Sequence, residues 1–361
     1  SRIYGLTIYK LSLHASMRNW CRVSAVKIGL KITLVLLVVA ICYTILYFQL
    51  FQPKTTVIRI SGSTTVYPLA VKWAEEYMRL HKDIKIEVSS GGSGKGITDV
   101  LAGLVDVGMS SRDLKSDEIN RGALPIPIAY DAVIVVVCIN NPVLSELQVK
   151  GIKLSILKEI YSGLVSNWEY VIDKDLNGDG FISINATHAI NINTGSIEGY
   201  SAPIEYEIHP YTRAEASGTA ETFAEKIGIG DQELLTGIKV VGNPGMVVAV
   251  RDDKLGIGYV SLAFAYGEAA EGVEPIPIDF NEDGVIDEGE RLDNYDIAIE
   301  NIVNGKYLLS RALYFVTKHK PTGMVKEFIK WCLTEGQQYV AEVGYVPLPE
   351  EKVHESLKLI G

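Results

Sequence analysis

The sequence predicts an α/β fold with two lobes, and three observations indicate it. From Thr56 onward, short alternating stretches are each followed by a helical run, a pattern typical of α/β domains with mostly parallel strands. The pattern restarts at Leu154, which predicts a second α/β unit. Two long apolar extended segments, 132–139 and 312–317, are candidates for strands that link the two lobes. The chain has 361 residues, enough for two buried cores.

In the first half of the chain, hydrophobic spacing predicts three strands and two helices. Residues 56–60 alternate as a strand does, and residues 84–88 and 105–109 predict two further strands. A glycine-rich loop after the second strand leads into a helix that runs through Leu101. The helix after the first strand has its apolar residues on one side, namely Val66, Leu69, Ala70, Trp73 and Tyr77.

In the second half, a helix is predicted from Leu154 through Tyr161 and is followed by an acidic loop. Another helix is predicted to run through Ile227, and residues 257–262 predict a strand. After the extended segment 312–317, residues 324–343 predict one helix with Phe328, Trp331 and Cys332 directed inward.

The charge distribution argues against a nucleic-acid partner. The formal net charge is −10, yet all seven charged residues before residue 55 are basic, so the remainder is more acidic still. A body this acidic has no electrostatic footprint for phosphate backbones. If it binds an anion, it must use local dipoles and hydrogen bonds.

Residues 32–53 predict a transmembrane anchor, because they contain no charge and are mostly Leu, Val, Ile, Tyr and Phe. About 20 apolar residues are long enough to cross a bilayer. The basic residues in segment 1–31 predict a cytoplasmic N-terminus and a body outside the cytoplasm. The apolar run exceeds the roughly 7–15 residues usual in a secretory signal, which favours an uncleaved single-pass anchor in the cell membrane.

Three hydroxyl- and glycine-rich loops predict an anion-binding cleft: 61–65, 91–96 and 213–219. Each precedes a helical run, and a helix N-terminus has unpaired N–H groups and partial positive charge. Arg213 adds a fork that grips two oxygens. One such loop alone is equally well explained as a helix cap. The second loop is not a nucleotide-binding P-loop, because Lys95 is followed by Gly96 instead of Ser or Thr.

The chain from Thr56 onward resembles the phosphate-binding proteins of phosphate ABC transporters, in the type II periplasmic binding protein group. No single landmark is specific, but their order and spacing together are. The landmarks are residues 62–68, 89–96, 106–112, 213–219, 256–260 and 309–314.

This resemblance implies a two-lobed type II periplasmic binding protein fold with an N-terminal transmembrane helix. Lobe I is expected to comprise 55–133 and 314–361, and lobe II 134–313. The implied function is high-affinity capture of inorganic phosphate by cleft closure and its delivery to the permease subunits of an ABC transporter. No enzymatic step and no catalytic cofactor are expected.

The resemblance also implies the phosphate ligands, and Glu215 as the acid that holds the arginine. The ligands are Thr64, Thr65, Ser93, Ser111, Arg213, Ser217, Gly218 and Thr219. One position departs from some family members, which have an aspartate where this chain has Ser111. That aspartate accepts a hydrogen bond from protonated phosphate and disfavours sulfate. Binding of another oxyanion, such as sulfate or molybdate, therefore remains an alternative.

Two acidic loops predict structural Ca²⁺, since oxygen side chains at alternate positions and a glycine at the turn suit a hard cation. In segment 279–290 the predicted ligands are Asp279, Asn281, Asp283, Val285, Asp287 and Glu290. Asp175, Asn177 and Asp179 begin a second such loop, in which Ala186 occupies the position of the final carboxylate. The alternative interpretation is a solvated acidic turn without metal.

Two functions from other classes compete with transport. One is a calcium-dependent surface phosphatase or other hydrolase, which is disfavoured because the six histidines lie in no base or ligand motif and Ser217 has no evident partner base. The other is a surface sensor or adhesion module that keeps the fold without transport.

Overall fold

The computed structural model describes residues 31, 33–47, 55–199 and 206–361. The predicted cytoplasmic segment, apart from Lys31, lies outside the described residues, as do residues 32 and 48–53 of the predicted anchor. Residues 33–47 form helix α1. Among the described residues, no helix combines the length and the apolar character needed to cross a membrane. The anchor therefore stays a prediction.

The remainder of the described chain contains fourteen strands and eleven α-helices, which alternate most regularly in its first part. The strands are β1 (Thr56–Gly62), β2 (Ile84–Ser90), β3 (Val107–Ser110), β4 (Ala123–Cys138), β5 (Ile152–Lys153), β6 (Phe181–Asn185), β7 (His188–Asn191), β8 (Ile197–Gly199), β9 (His209–Arg213), β10 (Ile238–Val240), β11 (Gly256–Ser261), β12 (Val273–Pro275), β13 (Ile278–Asp279) and β14 (Ser310–Lys318). The helices are α2 (Tyr67–Leu80), α3 (Ser93–Leu101), α4 (Ser116–Asn120), α5 (Leu144–Lys150), α6 (Leu154–Tyr161), α7 (Trp168–Ile172), α8 (Gly218–Lys226), α9 (Gly242–Arg251), α10 (Tyr295–Val303), α11 (Gly323–Leu333) and α12 (Glu350–Ile360).

The main sheet has the order β10-β9-β11-β4-β14-β3-β1-β2, and β12 also pairs with β4. On one side β1, β2 and β3 pair in parallel, and on the other side β9 pairs in parallel with β10 and β11. Between them the long strands β4 and β14 pair antiparallel over nearly the full length of β14. This arrangement confirms the predicted α/β fold with two connecting strands.

Two large buried apolar clusters correspond to two lobes. The first contains the inner face of α2 and the start of β4, and Trp73 packs edge-on against Phe315 of β14. The second contains the end of β4 and packs Phe223 of α8 flat against Tyr259 of β11. Strand β4 contributes to both clusters. Leu309, directly before β14, belongs to the second cluster, and Leu313 and Phe315 of β14 belong to the first. The chain therefore passes from one lobe to the other at these two strands.

Helix α2 has the apolar face that its spacing predicts, with Leu69, Ala70, Trp73 and Tyr77 buried. The α-helix predicted over 324–343, by contrast, ends at Leu333. Two short 3₁₀ turns follow it. The reason is a tertiary contact. Trp73 Nε1 donates a hydrogen bond to the Gly336 carbonyl at 2.7 Å, and a Cβ on Gly336 would lie 3.0 Å from that nitrogen. The backbone must therefore approach the indole closely, which a regular helix would not allow.

Two further differences come from strands. Strand β4 begins at Ala123, nine residues before the predicted segment, because residues 123–131 pair with β14 along their length. The acidic region after α7, predicted as a loop, holds a separate antiparallel sheet, β6-β7-β8.

The site described below lies where strands β1, β3 and β9 end. In parallel sheets, ligands bind beyond the carboxyl ends of the strands. Gly62 ends β1 with a φ of 138°, and a Cβ there would lie 2.4 Å from the Met109 carbonyl oxygen. Glycine thus lets β1 and β3 end close together, so that the loops after them meet.

Candidate anion-binding site

A buried polar cluster lies between the two lobes. We define it by nine residues, each at most 9% exposed: Ser63, Thr65, Ser93, Ser111, Arg213, Ser217, Thr219, Asn243 and Arg311. Six of them are among the eight phosphate ligands expected from the sequence. The three loops predicted to form a cleft therefore do converge, together with the loop after β3.

The loop between β1 and α2 is organised around Ser63. Its Oγ accepts hydrogen bonds from the N–H groups of Thr65, at 3.2 Å, and Val66, at 3.3 Å. It donates to Ser111 Oγ at 2.9 Å. Ser63 thus acts as a cap and leaves the Thr65 hydroxyl, 3.0 Å from Thr219 Oγ1, facing lobe II. Thr64 is half-buried, with its methyl group 3.4 Å from the Cβ position of Gly242.

Ser93, the first residue of α3, joins Ser111 across lobe I. Ser93 Oγ accepts a hydrogen bond from Ser111 N–H at 3.1 Å, and the two hydroxyl oxygens are 3.4 Å apart. Gly218 of lobe II lies against both, since a Cβ there would be 2.4 Å from Ser93 Oγ and 2.7 Å from Ser111 Oγ. Gly94 N–H donates to the Ala216 carbonyl at 3.0 Å. These contacts place the lobes in a closed arrangement.

The N-terminus of α8 enters the cluster from lobe II. Ser217 is its cap, and Ser217 Oγ accepts from the N–H groups of Thr219, at 3.2 Å, and Ala220, at 3.3 Å. With its acceptor positions used, the Ser217 hydroxyl hydrogen is left to donate. The N–H of Gly218, as the first helical residue, has no intrahelical partner. This helix end therefore presents donors and partial positive charge.

Arg213, at the end of β9, is buried without a carboxylate in close contact. Its Nη2 donates to Asn243 Oδ1 at 2.5 Å and to the Tyr259 carbonyl at 3.3 Å. Its Nε and Nη1 are buried and have no hydrogen-bond partner. Burial lowers the pKa of this guanidinium, since the charged form has lost its hydration. A buried cation with two unused donors has the chemistry to hold an anion.

Glu215 lies near this arginine without pairing tightly. Its Oε1 is 3.9 Å from Arg213 Nη1 and accepts a hydrogen bond from Gly242 N–H at 3.1 Å. Its Oε2 is buried without a partner. The carboxylate therefore offsets part of the Arg213 charge from a distance. The Nε and Nη1 donors of Arg213 stay available.

Three residues in or beside the cluster were not predicted from the sequence to take part in the site: Asn243, Arg311 and Asp131. Asn243 Nδ2 donates to Thr65 Oγ1 at 3.1 Å, which connects lobe II to lobe I. Arg311 and Asp131 form a buried ion pair with a 2.6 Å contact. Asp131 directly precedes the apolar segment 132–139, and Arg311 directly precedes the apolar segment 312–317. A charged residue beside a buried strand usually has a partner, so this position could have identified both residues from the sequence.

The two calcium-like loops lie outside the cluster, and the structure does not support calcium at either. Their oxygens accept hydrogen bonds from their own backbone. Asp279 Oδ2 accepts from Gly284 N–H at 2.9 Å, and the two oxygens of Glu290 accept from Phe280 and Asp287 N–H. Only Asp279 Oδ1 among these carboxylate oxygens is buried without a partner.

The remaining side chains of these loops repeat this turn geometry. Asn281 donates to the carboxylates of Asp283 and Asp287, and Asp283 accepts from Val285 N–H. In the first loop Asp175 accepts from Gly178 and Gly180 N–H. Asn177 accepts from Asp179 N–H. Across the described residues, no group of three or more His, Cys, Asp or Glu side chains is placed to hold a metal ion.

Two α/β lobes joined by two crossover strands, with a buried polar cluster between them, define a periplasmic binding protein fold. A family model described as a PBP superfamily domain matches residues 51–335. The chain belongs to the PBP superfamily.

Its relatives are phosphate-binding proteins. The chain is 27% identical over 331 residues to the phosphate-binding protein PstS of Xylella fastidiosa (strain Temecula1), with 84% of each chain covered. It is 28% identical over 296 residues to PstS of Bacillus subtilis (strain 168), with 81% of each covered. These relatives confirm the resemblance expected from the sequence.

A solved structure is similar over the same region. It comes from Clostridium perfringens, is assigned as a phosphate ABC transporter substrate-binding protein and contains bound phosphate. It shares 29% identity with this chain at a TM-score of 0.61 and covers 81% of this chain and 100% of its own.

Proposed function

We propose that this protein binds inorganic phosphate in the cleft between its lobes and delivers it to the permease of an ABC transporter. The observation that carries the proposal is the buried Arg213 guanidinium, whose Nε and Nη1 have no partner. A tetrahedral oxyanion would bring a negative charge beside the guanidinium and an acceptor for each of these two nitrogens. The names of the relatives support phosphate as that anion.

The hydroxyls of the cluster complete the proposed site. Ser93, Ser111 and Ser217 each accept a hydrogen bond from a protein donor, so their hydroxyl hydrogens can turn to the anion, those of Ser93 and Ser111 in place of the long 3.4 Å contact between them. Thr65, Thr219 and the N–H of Gly218 belong to the same cluster and are further donors in this proposal, with Thr64 at its edge. In this proposal, closure replaces the hydration shell of phosphate with fixed donors, and the bound anion is released unchanged.

The arrangement of the polypeptide fits this role. We assign lobe I to residues 55–133 and 314–361 and lobe II to 134–313, with β4 and β14 as the connections. Segment 32–53 would anchor the protein in the cell membrane with the lobes outside the cytoplasm, near the permease. Ser217 Oγ accepts from backbone N–H groups as a helix cap, which favours a binding role over a nucleophilic one.

The direct test is calorimetric titration of phosphate into the wild type and Arg213→Gln. Charge-assisted hydrogen bonds contribute about 1.5–3 kcal/mol each, so losing two should weaken binding roughly a hundredfold or more. Arg79→Gln is the control, because Arg79 is exposed on α2 and pairs with Glu76. Unchanged phosphate affinity in Arg213→Gln would refute the site.

A second candidate ligand is sulfate or molybdate, and Ser111 is the observation that favours it. A serine donates to a fully deprotonated oxyanion without the repulsion that a carboxylate would bring. Competition of sulfate and molybdate against bound phosphate decides between these ligands. Stronger binding of either than of phosphate would replace phosphate in the proposal.

A further inference from the structure

The cluster contains a second buried arginine, Arg311, at the junction of the lobes. It is on β14, directly opposite Asp131 of β4, and these are the two strands that connect the lobes. Arg311 is 9% exposed and Asp131 is fully buried. The pair therefore lies where the two connecting strands run side by side.

Its charge, unlike that of Arg213, is compensated. Arg311 Nε and Nη2 both donate to Asp131 Oδ2, at 3.0 and 2.6 Å. Asp131 Oδ1 accepts from Leu262 N–H at 3.0 Å, which fixes the carboxylate on its other side. The paired guanidinium thus adds little net charge to the site, and its orientation is fixed.

The remaining donors of Arg311 reach both lobes. Nη1 donates to the Ser111 carbonyl at 2.9 Å in lobe I. Nη2 donates to Thr219 Oγ1 of lobe II at 3.0 Å and lies 3.5 Å from Thr65 Oγ1 of lobe I. The guanidinium therefore contacts two hydroxyls that the proposed function assigns to the anion.

These contacts decide which way the hydroxyls point. A threonine hydroxyl has one hydrogen to donate and lone pairs that accept. Thr219 Oγ1 accepts from Arg311, and Thr65 Oγ1 accepts from Asn243 Nδ2 at 3.1 Å and faces Arg311 as well. The two oxygens are also 3.0 Å apart, so one hydroxyl can donate to the other. Because Arg311 and Asn243 already donate to these oxygens, the hydroxyl hydrogens point away from those donors. An anion beside the pair would accept from them in place of the hydrogen bond between the two threonines.

We propose that Arg311, held by Asp131, is a positioning residue that sets the Thr65 and Thr219 hydroxyls as hydrogen-bond donors toward the bound oxyanion. The proposal rests on the proposed function, because it assumes an anion in the cluster. Arg213 supplies the attracting charge, and Arg311 supplies the orientation of neutral donors from both lobes.

The test is a double-mutant cycle of Arg311→Lys and Thr219→Val, measured by calorimetry with phosphate. Lysine keeps the charge beside Asp131 but cannot reach Asp131, Ser111 and Thr219 together. Each single variant is expected to weaken binding about tenfold. If Arg311 acts through Thr219, the double variant binds about as weakly as the weaker single variant. The proposal is overturned if the fold losses of affinity of the two single variants multiply in the double variant. It is also overturned if Arg311→Lys binds with wild-type affinity.

Controls separate positioning from general damage. Thr219→Ser keeps the hydroxyl and should restore most of the affinity that Thr219→Val loses. Arg112→Lys loses a comparable fork, to Glu118, outside the cluster and should bind as the wild type does. Should Arg311→Lys fail to fold, Arg311→Met combined with Asp131→Asn leaves no unpaired charge and retains an acceptor for Leu262. That double variant must also lose affinity about tenfold, and wild-type affinity in it overturns the proposal.

The wild type is titrated first with phosphate, sulfate and molybdate, and the cycle uses the anion that binds most tightly. If the wild type binds none, the proposed function fails and this inference fails with it. If the wild type binds and Arg311→Lys binds equally well, only this inference fails.

Discussion

Arg213 and Arg311 are both buried arginines of the same cluster, and their partners give them different roles. Arg311 has a carboxylate at 2.6 Å, whereas the carboxylate nearest to Arg213 is 3.9 Å away. Coulomb attraction falls with distance, and a buried charge without close compensation is costly. Of the two arginines, Arg213 is therefore the one whose charge an anion would compensate.

Also at the residue scale, Ser111 is predicted to limit discrimination between phosphate and sulfate. Ser111→Asp places a carboxylate within reach of Ser63 and Ser93, where it accepts a hydrogen bond from protonated phosphate but repels sulfate. We expect the ratio of phosphate to sulfate affinity to rise at least tenfold, measured by calorimetry with each anion near neutral pH.

Ser111→Asn is the matched control, since it has similar size without the charge. An equal change in the affinity ratio for both variants would contradict the electrostatic explanation.

At the scale of single elements, hydrophobic spacing predicted α2, α6 and the connecting segment in β14, because their buried faces follow one period. It placed the start of β4 too late, since residues 123–131 are held extended by pairing with β14. It extended α11 past Leu333, because the contact between Trp73 and Gly336 joins positions 263 residues apart. Local pattern carries no information about such pairings.

Closure of the lobes should tolerate no side chain at Gly218, the first residue of α8. Gly218→Ala introduces a Cβ that would lie 2.4 Å from Ser93 Oγ and 2.9 Å from the Ser111 carbonyl carbon. Since real Cβ contacts are never this close, α8 must move away from lobe I. We expect phosphate affinity to fall at least tenfold while the melting temperature without ligand stays near that of the wild type.

Gly245→Ala on α9 is the control, because nothing lies within 4 Å of a Cβ there. It is expected to leave binding unchanged, since alanine is favoured over glycine in a helix. Equal affinity for Gly218→Ala and the wild type would show that α8 does not contact lobe I in the bound state.

At the scale of the whole molecule, closure is supported by contacts between the lobes that do not touch the proposed ligand. Lys115, which precedes α4 in lobe I, forms a 2.7 Å ion pair with Glu221 of α8. This pairing raises the pKa of Lys115. Lys115 is half-exposed, so the pair contributes only about 0.2–1 kcal/mol to the closed state.

Lys115→Gln is accordingly expected to weaken phosphate binding about two- to threefold at low salt, by destabilising the closed state. The difference should shrink at high salt, because screening already weakens the pair. Calorimetric titrations at two ionic strengths measure it. Lys85→Gln removes an exposed pair within lobe I and serves as the control. A loss of affinity that is the same at both ionic strengths would contradict this role.

The sequence by itself determined the α/β class, the three hydroxyl-rich loops and the resemblance to phosphate-binding proteins, because these depend on local spacing and on short motifs. Only the tertiary structure paired Arg311 with Asp131, 180 residues away, and left two donors of Arg213 unused. It also showed the acidic loops binding their own backbone N–H groups. Such outcomes depend on strand register, since a shift of one residue in β14 would turn Arg311 to the opposite face of the sheet.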